Sequence, residues 1–269
     1  LGRMVQELGA LWRPVEVPQR YRSRFPLTER FGLNAWYRTL LPELLSEEAR
    51  VLYLDSDLLI LEGLQELWER DLGANLLAAV TQPTEDRVLG RLRDTLGLPD
   101  AQAYFNSGVM LLDLEGLRQE QLSRQILDFL DESRAPTPWA DQDPLNAVLH
   151  QRRLHLAPRW NAMSPFFLAR RPSALFTPAE REEAVRHPAI VHFIGPYKPW
   201  HFRCRHPYRA AYFAHLRHTP WCGKPVVGRS LRHALLRFLP WEWQFKLDAL
   251  IDRAAARVAG RRSEPVKAA

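Results

Sequence analysis

Two aspartates separated by one residue, Asp55 and Asp57, follow an apolar run that begins at Val51. Such a run is typical of a buried strand in an α/β sheet, and these sheets bind ligands beyond the carboxyl ends of their strands. In an extended chain, residues i and i+2 point to the same side, so both carboxylates can coordinate one hard divalent cation, which could neutralise a diphosphate leaving group. The alternative is a turn in which the acids cap a helix. The preceding strand favours the cation.

Strands and helices alternate along the chain, and these elements must position the two acids. Strands are predicted at residues 51–54, 76–80, 104–112, 154–156 and 190–193, and a short one around residues 13–17. Helices are predicted from about Asn34, from Pro144, and over residues 62–70, 87–96 and 115–130. This alternation indicates a three-layer α/β sandwich.

The basic charge of the chain is concentrated at its carboxy-terminal end. The net charge of the 269 residues is +6, yet residues 201–269 hold 14 Lys and Arg against 4 Asp and Glu. Residues 229–239 and 243–251 read as amphipathic helices with Trp and Phe on the apolar side, which suits a membrane interface. The alternative is a pair of helices packed on the body of the protein. We therefore expect a catalytic domain at residues 1–218 and a basic, membrane-attaching helical tail at residues 219–269.

The remaining composition excludes several classes of protein. No apolar run approaches the length of a transmembrane helix, and residues 1–10 do not resemble a signal peptide. The two cysteines, Cys204 and Cys222, make no disulfide framework, which suits a reducing cytoplasm, and their spacing matches no standard zinc site. The basic tail lacks a base-stacking motif, so we do not expect nucleic-acid binding.

Four motifs, taken together and in order, resemble glycosyltransferase family 8. They are Leu54-Asp55-Ser56-Asp57, Phe105-Asn106-Ser107-Gly108-Val109, Asp141-Gln142-Asp143-Pro144-Leu145-Asn146, and His192-Phe193-Ile194-Gly195-Pro196-Tyr197-Lys198-Pro199-Trp200. Within the family, the likeness is to bacterial lipopolysaccharide α-galactosyl- and α-glucosyltransferases. It implies a GT-A-type, Rossmann-like three-layer sandwich with a mixed sheet.

The resemblance also implies a metal and diphosphate site. Asp55 and Asp57, with His192, would bind Mn²⁺ or Mg²⁺ bridging the diphosphate of a UDP-sugar. Gly195 would allow close approach of the backbone, and Lys198 would place a positive charge at the β-phosphate. Ser56, between the two acids, is likewise assigned to donor binding.

A second group of residues is implied to bind the donor sugar. Arg38 and Asn106 match donor contacts of the family, and Asp141 would accept hydrogen bonds from sugar hydroxyls. Gln142 would face the anomeric carbon and, with Asp141, is a candidate catalytic residue. A carboxamide is a poor nucleophile, which favours front-face attack over a covalent intermediate. The alternative role for Asp141 is capping a helix.

The sequence departs from the family pattern in three places. Gln82 stands where the galactosyltransferase-like members have an acid that contacts the donor sugar, which leaves the hexose open. Ile194 replaces a cysteine near the expected acceptor site. Residues 1–17 cannot supply the first βαβ unit of the family, so the sheet is expected to lack its first strands.

These observations predict a retaining hexosyltransferase. It would transfer galactose or glucose from UDP-galactose or UDP-glucose to a lipid-linked saccharide of lipopolysaccharide or another surface glycan, at the cytoplasmic face of a bacterial cell membrane. Two alternatives are an inactive membrane-associated remnant and a phosphatase with an aspartyl nucleophile. The phosphatase is disfavoured because Leu58 and Leu59 directly follow the second acid.

Overall fold

The computed structural model describes residues 1–22, 24–26, 32–83, 93, 95–133, 137–169 and 171–236, together with residues 239, 243, 247 and 250. The chain divides into two units. The first unit comprises residues 1–54 and 65–156, and the second comprises residues 55–64 and 157–269.

The elements follow one another as strands, α-helices and short 3₁₀ helices. The strands are β1 (Arg50–Leu54), β2 (Leu58–Ile60), β3 (Leu77–Thr81), β4 (Phe105–Asp113), β5 (Arg153–His155), β6 (Ala162–Met163) and β7 (Ile190–His192). The α-helices are α1 (Gly2–Glu7), α2 (Gln19–Arg22), α3 (Leu41–Leu44), α4 (Gln65–Trp68), α5 (Leu114–Gln119), α6 (Leu122–Ser133), α7 (Gln142–Leu149), α8 (Ser164–Leu168), α9 (Pro178–Arg186), α10 (Arg209–Leu216) and α11 (Leu231–Leu236). The 3₁₀ helices are Leu33–Leu40, His150–Arg152 and Pro158–Asn161.

The first unit is built on a mixed four-stranded sheet in the order β1-β4-β3-β5. Strand β4 pairs antiparallel with β1 and β3, and β3 pairs parallel with β5. All of β3 and all but the last residue of β4 are buried, which explains why both read as continuous apolar runs. The polar residues 106–108, which interrupt the second run, lie inside β4.

Helices of the first unit pack on this sheet through one large apolar cluster. Trp36 and Leu40 of the 3₁₀ helix at residues 33–40, Ile126 of α6 and Leu145 of α7 all contribute to the cluster, together with Met110 of β4. All five side chains are almost fully buried. This packing fixes the start of α7 beside β4, and both elements carry residues of the group that is implied to bind the donor sugar.

The second unit contains a three-stranded sheet in the order β2-β7-β6. Strand β7 pairs antiparallel with β2, with Leu58 opposite His192, and pairs parallel with β6. The apolar residues Leu59, Val191 and Phe193 form a buried cluster in this unit. The register matters for function because it places the residues just before β2 opposite the end of β7.

Most strand predictions are confirmed to within two residues, but several elements differ. Residues 13–17 form no strand, since Pro14 and Pro18 cannot donate backbone hydrogen bonds there. The helix predicted at residues 115–130 is two helices, α5 and α6, because Gln121 adopts a left-handed φ of 54° between them. The helix predicted from about Asn34 is instead the 3₁₀ helix at residues 33–40 followed by α3.

Two predicted segments fall largely outside the described residues. Most of the helix predicted at residues 87–96 lies there, and so does most of the tail beyond residue 236. Helix α11 agrees with part of the first predicted tail helix. Among the described residues, no helix is both long enough and apolar enough to cross a membrane.

Candidate functional site

Asp55, Asp57 and His192 form a candidate metal cluster in the second unit. Each offers one ligand atom, and these atoms lie within 4.8 Å of one another. The two acids occupy a turn before β2. The backbone N–H of Phe193 donates to the Asp57 carbonyl at 3.0 Å, which extends the pairing of β2 with β7 by one residue. Asp57 Oδ1 consequently lies 3.3 Å from His192 Nε2, and Asp55 Oδ2 lies 3.8 Å from it.

The local conformation of the acids differs from the sequence-based expectation. They lie in a turn rather than in an extended segment, so their proximity comes from the fold and not from i, i+2 alternation. The turn is followed directly by β2, so the acids do not cap a helix. Ser56 is exposed at this turn, between the two carboxylates.

The His192 ring is oriented by a neighbour that the sequence did not indicate. His192 is 2% exposed, and its Nδ1 lies 2.9 Å from Asn161 Oδ1. Because an amide oxygen only accepts, Nδ1 carries a proton and donates, and this hydrogen bond turns Nε2 toward the two acids. Two carboxylate oxygens and a correctly oriented imidazole nitrogen fit a divalent cation such as Mn²⁺.

A lysine side chain lies against this cluster. The Lys198 ammonium forms an ion pair with Asp57 Oδ2 and donates to the Phe193 carbonyl at 2.8 Å. Burial by itself raises the pKa of Asp57, but the hydrogen bond from His192 and the charges of His192 and Lys198 outweigh it. The pKa of Asp57 therefore lies well below its usual range, and this carboxylate is ionised at neutral pH. Gly195, in the turn leading to Lys198, has a left-handed φ of 94°.

Arg38 and Asp141 come together in the first unit. Arg38 Nε lies 3.0 Å from Asp141 Oδ2, and Arg38 Nη1 donates to the Ser107 carbonyl at 2.8 Å. The guanidinium also lies over the Tyr53 ring, 4.6 Å from its centroid. Asp141 directly precedes α7, yet its side chain makes no capping hydrogen bond. The capping role is thus absent, and the carboxylate contacts Arg38 instead.

Gln142 belongs to a chain of buried hydrogen bonds, named here the carboxamide cluster. Its Oε1 accepts from Asn106 Nδ2 and from the backbone N–H of Ser107, both at 3.1 Å. Its Nε2 donates to the Tyr104 hydroxyl at 2.9 Å. Asn106 Nδ2 also donates to Gln82 Oε1 at 2.9 Å. The Gln142 carboxamide is therefore held from both of its sides.

Asp143 completes the carboxamide cluster. Tyr104 donates its hydroxyl proton to Asp143 Oδ1 at 2.7 Å, and the backbone N–H of Trp139 donates to Oδ2 at 3.0 Å. The side chain is buried, and this burial raises the pKa of Asp143 to about 6. Asn146 binds both backbone groups of Phe105, at 2.7 and 2.9 Å, and so attaches α7 to β4.

The sequence did not assign roles to four of these residues: Tyr104, Asp143, Asn146 and Asn161. Asp143 and Asn146 lie within a quoted motif, and their polar side chains on an otherwise apolar helix are a signal that could have identified them. Tyr104 is hidden at the start of an apolar run. Asn161 carries no sequence signal, because its role depends on the pairing of β6 with β7.

Comparisons with known proteins agree with this geometry. The family model described as Glycosyl transferase family 8 matches residues 11–204. General stress protein A of Bacillus subtilis is 35% identical over 202 residues, which cover 72% of this chain and 69% of that protein. The Salmonella typhimurium lipopolysaccharide 1,3-galactosyltransferase is 26% identical over 224 residues, which cover 80% of this chain and 64% of that protein.

A solved structure shares the fold. The galactosyltransferase LgtC, crystallised in complex with donor and acceptor sugar analogues, superposes with a TM-score of 0.66 at 29% identity. The match covers 75% of this chain and 73% of LgtC. The predicted GT-A-type α/β fold is thereby confirmed. The matching family model and this shared fold show that the chain belongs to glycosyl transferase family 8.

Proposed function

We propose that this protein is a retaining hexosyltransferase that uses a divalent metal, Mn²⁺ or Mg²⁺. It moves galactose or glucose from a UDP-sugar to a lipopolysaccharide or another surface-glycan acceptor. The observation that carries the proposal is the metal cluster of Asp55, Asp57 and His192, with Lys198 beside it. The similarity to a lipopolysaccharide galactosyltransferase and to LgtC supports the choice of substrate class.

The metal cluster is assigned to the diphosphate of the donor. A divalent cation bound there would supply electrostatic neutralisation of the charge that grows on UDP as it leaves. Oxygens of Asp55 and Asp57 and Nε2 of His192 would hold it. Lys198 adds a positive charge in the same unit, and Gly195 permits a backbone conformation that a residue with a Cβ rarely adopts.

Arg38, Asn106, Asp141 and Gln142 are assigned to the donor sugar and to its chemistry. The acceptor hydroxyl oxygen bonds to the anomeric carbon on the face from which UDP departs, and the hydroxyl proton passes to the leaving phosphate. The Gln142 carboxamide steadies positive charge on the sugar, and its oxygen is already held by Asn106 and Ser107. Asp141 accepts hydrogen bonds from sugar hydroxyls, which reads their stereochemistry.

The basic tail is assigned to the inner face of a bacterial cell membrane, where lipid-linked saccharide acceptors are presented. The charge of residues 201–269 supports attraction to anionic lipids. Deleting residues 229–269 should reduce co-sedimentation with anionic vesicles while transfer to a soluble acceptor continues. Unchanged vesicle binding would assign the tail a structural role instead.

Calorimetric titration with UDP, in the presence and absence of Mn²⁺, tests the donor assignment directly. We expect binding that requires the metal. Transfer assays with UDP-galactose and UDP-glucose then identify the hexose, and NMR of the product shows whether the anomeric configuration is retained. Absence of UDP binding with either metal would contradict the proposal and favour an inactive remnant.

A further inference from the structure

We propose that Tyr104 and Asp143 are positioning residues that fix the Gln142 carboxamide in place for the reaction. The inference rests on the proposed function, because Gln142 is the side chain assigned to the reacting sugar. It is carried by a continuous chain of hydrogen bonds from Asp143 through Tyr104 to Gln142 and Asn106. All of these side chains are buried, with exposed fractions of 8% or less.

The direction of each hydrogen bond in this chain is fixed from the Asp143 end. An ionised carboxylate only accepts, and the backbone N–H of Trp139 already occupies Oδ2 at 3.0 Å. Tyr104 must therefore donate its proton to Oδ1. The Tyr104 oxygen is then left as an acceptor, so Gln142 must turn its amino group toward it.

The other end of the chain imposes the same orientation. The backbone N–H of Ser107, which belongs to β4, requires an acceptor and finds Gln142 Oε1 at 3.1 Å. Asn106 Nδ2 donates to the same oxygen. A reversed carboxamide would face these two donors with its amino group and leave buried N–H groups unpaired, which is unfavourable. Tyr104 therefore holds the amino side, while Ser107 and Asn106 hold the oxygen side.

The attachment of helix α7 does not depend on Tyr104. Asn146 binds the N–H and the carbonyl of Phe105 and donates to the Gln142 carbonyl at 2.8 Å, so it fastens the helix to β4 through backbone groups. Removing the Tyr104 hydroxyl should leave this attachment intact. The expected consequence is a carboxamide held only on its oxygen side and free to leave its productive position.

The decisive variant is Tyr104→Phe, which removes one buried hydroxyl and little else. We expect kcat to fall by about 10- to 100-fold, because small displacements of a reacting group cost that much, while KM for the donor changes by less than about threefold. Ser123→Ala is the matched control, since Ser123 also carries a buried hydroxyl in the first unit and donates to the Thr39 carbonyl at 2.8 Å. Its kcat should stay within about twofold of the wild-type value.

Asp143→Asn breaks the same chain from its other end and covers the case in which Tyr104→Phe does not fold. In one orientation, the oxygen of the new amide accepts from the backbone N–H of Trp139, but its amino group then faces Tyr104. In the other orientation, the amino group faces the backbone N–H of Trp139. We expect the same selective loss of kcat in this variant. Wild-type kcat in the folded Tyr104→Phe or Asp143→Asn protein would overturn the inference.

An NMR readout separates this inference from the proposed function. In protein labelled with ¹⁵N-glutamine, the Gln142 side-chain amide, assigned by its absence in Gln142→Leu, should shift and exchange faster in Tyr104→Phe than in Ser123→Ala. An unchanged Gln142 amide would overturn the inference even if activity fell. Absence of any transfer by the wild-type enzyme would overturn the proposed function, whereas the amide result would still report on the hydrogen-bond chain.

Discussion

The metal cluster and the carboxamide cluster are both polar groups in largely buried surroundings, but they balance their charges and hydrogen bonds differently. In the metal cluster, two carboxylates converge with the His192 imidazole and the Lys198 ammonium, and His192 Nε2 faces the acids. In the carboxamide cluster, the side-chain oxygens of Asp143, Gln142 and Asn106 each accept a hydrogen bond from a neighbour.

This difference indicates how each region contributes. The metal cluster concentrates negative charge that a divalent cation would neutralise, so its effect depends on a ligand. The carboxamide cluster is satisfied by itself, so it defines the position of Gln142 before any ligand arrives. Changes to the first should abolish binding, and changes to the second should alter rate and stability.

The largest expected effect comes from removing a ligand of the metal cluster. Asp57→Ala should lower metal-dependent UDP binding and transfer by about 1000-fold, because it deletes an anionic oxygen from the cation site. Thermal unfolding followed by circular dichroism should show a retained fold. Asp131→Ala, which removes an exposed acid of α6, is the control and should change neither UDP binding nor transfer. Retained metal-dependent transfer by Asp57→Ala would defeat the assignment of the cluster.

The second effect is a pH dependence of stability that belongs to the carboxamide cluster. Burial raises the pKa of Asp143 from 3.8 in the unfolded chain to about 6 in the folded one. The folded state therefore binds this proton more tightly, so the stabilisation is fully present below pH 4 and is lost as pH rises through 6. The loss amounts to about 3 kcal/mol.

Denaturant unfolding of the wild type and of Asp143→Asn, from pH 4.5 to 7.5, measures this contribution. The wild-type free energy of unfolding should fall relative to that of the variant across this range, because the variant has no carboxyl group to titrate. Parallel curves for the two proteins would show that Asp143 titrates at its ordinary value and that its burial is relieved in solution.

Sequence patterns predicted β1, β3, β4, β5 and β7, because continuous burial leaves continuous apolar runs, as in β3 and β4, but they did not predict the short strands β2 and β6. They also predicted Asp55, Asp57 and His192 as a group, since motif order carried that information. They could not predict the turn at residues 55–57 or the contact of Arg38 with Asp141, because these depend on pairings between distant segments. Nor could they show that Gln121 divides a helix, since glutamine rarely adopts a left-handed φ.

Substitution of Asn161 tests how far metal binding by the cluster depends on a neighbour of His192 that the sequence did not reveal. Asn161→Ala removes the acceptor for His192 Nδ1, so the ring loses its fixed tautomer and orientation. Metal affinity should fall by about 10- to 100-fold, the usual cost of losing a partner of a metal-binding histidine. Titration of Mn²⁺ followed by electron paramagnetic resonance measures it. Asn161→Asp keeps the acceptor and should retain affinity; equal affinities for the Ala and Asp variants would exclude an orienting role.

The smallest effects concern two residues that share a left-handed backbone, Gln121 with φ 54° and Ala140 with φ 49°. Glycine adopts this conformation without a Cβ penalty, so either change to glycine should alter the free energy of unfolding by no more than about 1 kcal/mol. Gln121→Gly, at an exposed helix end, should leave kcat unchanged.

Ala140→Gly should instead lower kcat by about two- to tenfold at nearly unchanged stability, because the residue directly precedes Asp141 and Gln142 and a flexible glycine loosens their placement. Steady-state kinetics and thermal unfolding of the two variants side by side make the measurement. If Ala140→Gly kept wild-type kcat, the left-handed turn before α7 would be a tolerated strain rather than part of the positioning of the carboxamide cluster.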